Sequence, residues 1–105
     1  MNSWVILFLA GLFEVSWAIG LKFSHGFSKL LPSVLTVAGM IFSFVFLSMA
    51  LKKLPLSIAY AIWTGIGIAG TSILGVILFN ESVSISKIVF IGFIVVGIIG
   101  LRLTQ

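Results

Sequence analysis

The chain divides into four apolar stretches, at about residues 4–21, 31–51, 57–79 and 86–103, joined by short connections at 22–29, 52–55 and 80–84. Crossing the hydrocarbon of a bilayer takes about 20 helical residues. Each unpaired backbone group there costs several kcal/mol, so every stretch is predicted to be a helix. The expected fold is an all-α membrane protein of four transmembrane helices. With 61% of the 105 residues hydrophobic and only 8% charged, little of the sequence remains for anything outside the membrane. Pro32 and Pro55 fall near the start of the second stretch and just before the third, where a missing amide donor does least harm.

The net charge of +4 does not point to nucleic acid. Lys22, Lys29, Lys52, Lys53, Lys87 and Arg102 are scattered between the apolar stretches, as anchors that reach from helix ends into water and headgroups. Alternating the connections across the membrane sets Lys52, Lys53 and Arg102 on one side against Lys22, Lys29 and Lys87 on the other. This balance gives the positive-inside rule almost nothing to act on. Insertion in both orientations is therefore open, unless an end charge such as the N-terminal amine decides it. Two oppositely inserted copies would form an antiparallel homodimer, with the inverted symmetry that transporters with internal repeats use for alternating access. The first stretch lacks the basic region of a signal peptide and is expected to be retained. Without cysteine there are no disulfides or thiolate metal sites.

Glu14 is the one acid inside a spanning stretch, since Glu81 falls in the connection after the third. A carboxylate at the bilayer centre costs on the order of 2.5 kcal/mol or more, which makes it a functional candidate by default. The structural alternative is a protonated Glu14 holding two helices together by a hydrogen bond. Gly11, Glu14 and Trp17 recur at i, i+3 and i+6 on one broad helix face, with Gly11 expected to leave space above the carboxylate and Trp17 to offer an indole N–H below it. Tyr60, Trp63 and Gly67 similarly share a face of the third stretch, and aromatic walls with polar handles suit an organic cation. Ser43 offers a hydroxyl in the second stretch, although serines in membrane helices usually bond to their own backbone.

Gly65, Gly67 and Gly70 match G-x-G-x-x-G, but no strand precedes them, so the dinucleotide reading fails. Gly65 and Gly67 are expected instead to loosen the helix for bending or gating. Gly92, Gly97 and Gly100 are expected to form a packing surface on the fourth helix, where a second copy would dock. His25 lies in a polar connection and is read as solvated. No nucleophile with its base, metal-ligand cluster or phosphate loop is present, so neither an enzyme nor a cofactor is expected.

The runs GLFEVSWAIGLKFSHGF, LLPS, LPLSIAYAIWTGIG and GIIGLRL together resemble the small multidrug resistance transporters over essentially the whole chain. The resemblance implies a four-helix protein of the bacterial inner membrane working as an antiparallel dimer. It further implies exchange of protons for organic cations at a shared pair of membrane glutamates, here Glu14, with Tyr60 and Trp63 on the family's aromatic positions. Gly11-x-x-Glu14-x-x-Trp17 together with Ser43 resembles the guanidinium-exporting subtype. On that pattern Gly11, Trp17, Ser43 and Trp63 would surround the two carboxylates with hydrogen bonds. Some members work only as unequal pairs, and the balanced charges here favour a homodimer. A broader exporter of quaternary ammonium compounds is the nearer alternative. A small pore-former or assembly subunit is the farther one.

Overall fold

The computed structural model describes residues 2–104, which form four α-helices: α1 (Ser3–Phe23), α2 (Leu30–Leu51), α3 (Leu56–Phe79) and α4 (Ile85–Leu103). All four are long and apolar enough to cross a membrane. Their ends are set by local chemistry. The Asn2 side chain accepts the Trp4 amide at 2.7 Å to start α1, and Ser84 Oγ accepts that of Lys87 at 3.1 Å to start α4. Pro55 precedes α3, and Asn80 in the left-handed conformation ends it.

The turn from α1 to α2 winds around Ser24, whose side chain is fully buried. Its hydroxyl donates to the Leu21 carbonyl at 2.7 Å and accepts the Phe27 amide at 3.0 Å. The intervening backbone is left-handed at His25, Gly26 and Phe27, with φ of 48°, 73° and 66°. Only Gly26 takes that conformation without steric cost.

Helix α1 lies against both α2 and α3, whereas α4 runs along α3, reaches α1 through the Arg102 side chain at its end, and buries none of its residues. Leu7, Ala10, Ala50 and Ala59 are fully covered where α1, α2 and α3 meet, with Leu47, Ile62 and Trp63 beside them. Small residues let these backbones approach closely, as membrane helices require when no hydrophobic effect drives them together. A Cβ on Gly39 of α2 would stand 3.1 Å from that of Trp17.

The charged ends sort onto two faces. On one, the Arg102 guanidinium covers the Trp4 ring at 4.4 Å, joining the end of α4 to the start of α1. On the other, Glu81 meets Lys22 at 3.5 Å and Lys87 at 3.8 Å, and Lys22 lies 4.7 Å from the centre of the Phe79 ring. These exposed pairs each contribute about 1 kcal/mol or less.

Candidate functional site

Glu14 lies just past the middle of α1, on the side that faces α3. Its carboxylate occupies the space that a side chain at Gly67 would need: a Cβ there would collide with Glu14 Oε1 and Cδ. Glu14 Oε2 is buried without a hydrogen-bond partner, and so is the indole Nε1 of Trp17, three residues further along the same helix. An acceptor and a donor are thus held out of solvent on neighbouring positions of α1, each with its bonding capacity unused.

A polar bridge ties three helices together one turn away. The Trp63 indole N–H of α3 donates to Ser43 Oγ of α2 at 2.9 Å, and the Ser43 hydroxyl donates to the Ala10 carbonyl of α1 at 2.8 Å. Both bonds are buried. In an α-helix the carbonyl at position 10 is also the acceptor for the amide of residue 14. The bridge therefore fixes the backbone turn that carries Glu14. Ser43 reaches across to another helix, where the ordinary behaviour of a membrane serine is to bond within its own, as Ser33 does to Lys29 at 2.5 Å.

Aromatic rings line the approach to this bridge. The Tyr60 and Trp63 rings lie 5.4 Å apart, Phe44 lies 5.8 Å from Trp63, and Trp17 lies 6.4 Å from Phe44. Tyr60 is 54% exposed, so the row opens outward at that end. Its faces offer negative π-density to a cation, and its indole and phenol groups offer directional hydrogen bonds.

The structure brings some of the sequence-predicted residues together and separates others. Glu14 and Gly67 are in direct apposition, and Ser43, Trp63 and Tyr60 form a contiguous polar and aromatic set. Gly11, expected to leave room above the carboxylate, instead makes room for Ile66 of α3, whose Cγ2 would lie 2.6 Å from a Cβ there. Helix α3 continues unbroken through Gly65 and Gly67, and what both glycines provide is space: for Ile94 and Ile98 of α4 at Gly65, and for the carboxylate at Gly67. Gly92, Gly97 and Gly100 stand apart on α4 with nothing within 4 Å of where a Cβ would be. Phe44 was not singled out by sequence, because one phenylalanine in the run FSFVF carries no mark of its partners. Thr64 is likewise new, with a buried hydroxyl and no partner.

The grooves on the outside of the bundle are separate from this set. One of ≈ 490 Å³ between α3 and α4 and another of ≈ 400 Å³ between α1, α3 and α4 are lined almost entirely by apolar side chains, and Glu14 lines neither.

Residues 2–94 match the family model for the Small Multidrug Resistance protein. The chain belongs to the small multidrug resistance family. Among the relatives of this small multidrug resistance protein is a guanidinium exporter of Proteus vulgaris, 55% identical over 98% of this chain and 99% of the relative. Guanidinium exporters of Salmonella typhimurium strain LT2 and of Citrobacter freundii are 54% and 53% identical, each over 97% of both chains. The family and the four apolar helices make this a multi-pass membrane protein, with a buried acid on its first helix.

Proposed function

We propose that this protein exports guanidinium across the bacterial inner membrane in exchange for protons, working as an antiparallel homodimer in which two Glu14 carboxylates share one site. The observation that carries the reading is the pair of unused, buried polar atoms on α1, Glu14 Oε2 and Trp17 Nε1. The near-full-length likeness to guanidinium exporters selects the cation.

Guanidinium is planar and permanently charged near neutral pH, and it meets a carboxylate through paired N–H bonds, as an arginine head group does. A site with a carboxylate, fixed indole donors and aromatic walls suits it. Quaternary ammonium ions have no N–H to donate and call for a wider apolar pocket. Within one chain the Glu14 side chain is only partly buried, so a second copy would complete the site. The open glycines of α4, Gly92, Gly97 and Gly100, offer the surface on which two chains can approach closely.

Coupling follows from exclusive occupancy. The dimer changes the side to which it opens when the Glu14 pair holds either a cation or protons. Protons arriving from outside displace guanidinium there, and their loss inside readies the carboxylates for the next cation. In this scheme the Trp63–Ser43–Ala10 bridge keeps the Glu14 turn in register, while Trp17 supplies a donor to the carboxylates.

Transport of guanidinium measured against a bulky aromatic cation such as tetraphenylphosphonium, in liposomes holding the purified protein, tests the assignment. Strong preference for guanidinium is expected. Equal or better transport of the bulky cation would replace this reading with a broad exporter of quaternary compounds.

A further inference from the structure

Among the described residues, three side chains carry a buried polar atom without a hydrogen-bond partner: Glu14 at Oε2, Trp17 at Nε1 and Thr64 at Oγ1. The first two belong to the site already described. The third is unlike the other threonines of the spanning helices. Thr36 donates to the Pro32 carbonyl at 2.7 Å, and Thr71 to that of Gly67 at 2.7 Å, the four-residue back-bond by which such hydroxyls ordinarily satisfy themselves. Thr64 makes no such bond.

Its place on α3 is also particular. Thr64 lies four residues after Tyr60 and three before Gly67, so it borders the stripe whose glycine receives the Glu14 carboxylate. Guanidinium brings only N–H donors and needs acceptors around it. The indoles of Trp17 and Trp63 are donors and cannot serve. Ser43 already donates to Ala10 and accepts from Trp63. Ser43 keeps one lone pair and Tyr60 is exposed, but among the described residues the buried hydroxyl with all of its bonding capacity unused is that of Thr64.

Resting on the function proposed above, we propose that Thr64 is a specificity-determining residue whose hydroxyl accepts an N–H of the bound guanidinium. The Thr64→Val variant keeps the shape and removes the hydroxyl, and Thr64→Ser keeps the hydroxyl. Guanidinium binding to the purified full-length protein in lipid nanodiscs, followed by calorimetry, is expected to weaken about five- to tenfold in Thr64→Val. Thr64→Ser should bind as the wild type does. Protonation of the cation-free protein, followed by tryptophan emission, should occur at the wild-type pH in both variants, since the proton goes to Glu14.

Unchanged affinity in Thr64→Val would overturn the proposal, and so would an equal loss in Thr64→Ser. A Thr64→Val protein whose protonation shifts along with its affinity would show a structural role, such as a back-bond to Tyr60, and overturn it too. A wild type that binds no guanidinium at any pH would remove the functional reading together with this one. Wild-type binding with an unaffected Thr64→Val removes only the role of Thr64.

Discussion

The carboxylate of Glu14 rests where a side chain at Gly67 would have to stand, so the position of the acid depends on a hydrogen atom on the neighbouring helix. Gly67→Ala is therefore expected to displace the carboxylate without preventing insertion, because alanine is at home in a membrane helix. A misplaced binding group costs roughly tenfold or more. Guanidinium affinity of the purified variant should fall by that amount, with expression close to the wild type. Full affinity in Gly67→Ala would mean that the carboxylate does not work from this position.

Ser43→Ala breaks both arms of the Trp63–Ser43–Ala10 bridge and leaves a buried indole N–H unpaired. The expected cost is about 1–3 kcal/mol, read as a lower resistance to denaturation in detergent. Trp63→Phe removes the donor with its ring and should cost less through hydrogen bonding, although it also loses packing against Tyr60 and Phe44.

Trp17→Phe preserves an aromatic ring beside Phe44 and removes only the unpaired N–H from the site. Selectivity should change before expression does, with the preference for guanidinium over alkylated cations shrinking in competition transport assays. An unchanged preference would take Trp17 out of the site.

Orientation in the membrane offers an independent check on the dimer. With Lys52, Lys53 and Arg102 against Lys22, Lys29 and Lys87, a change of two charges should tip the balance. Lys52→Ala combined with Lys53→Ala should leave mostly one orientation, with the 22–29 and 80–84 connections inside, as read by a reporter fused to the C-terminus. The wild type should report both sides.

How much of this is visible in the sequence depends on what a bilayer makes visible. Four spanning helices are legible because apolar runs of that length have no other outlet for their backbone bonds. Glu14 is legible because a lone acid in such a run is costly. Helix-to-helix register is not. Every face of these helices is apolar, so periodicity does not say that Gly11 meets Ile66, that Ser43 crosses to Ala10, or that α4 packs along α3. Ser43 and Thr64 show the limit most clearly, since two hydroxyls on apolar helices look alike in sequence, yet one bonds across two helix contacts and the other has no partner.

The central claim is that protons and guanidinium exchange through Glu14. Purified protein in liposomes, given guanidinium as the only substrate and an internal pH dye, tests it most directly. A guanidinium gradient should drive protons the opposite way in the wild type and leave the pH unchanged in Glu14→Gln. Guanidinium flux with no proton movement in the wild type, or coupled flux surviving in Glu14→Gln, would contradict the account.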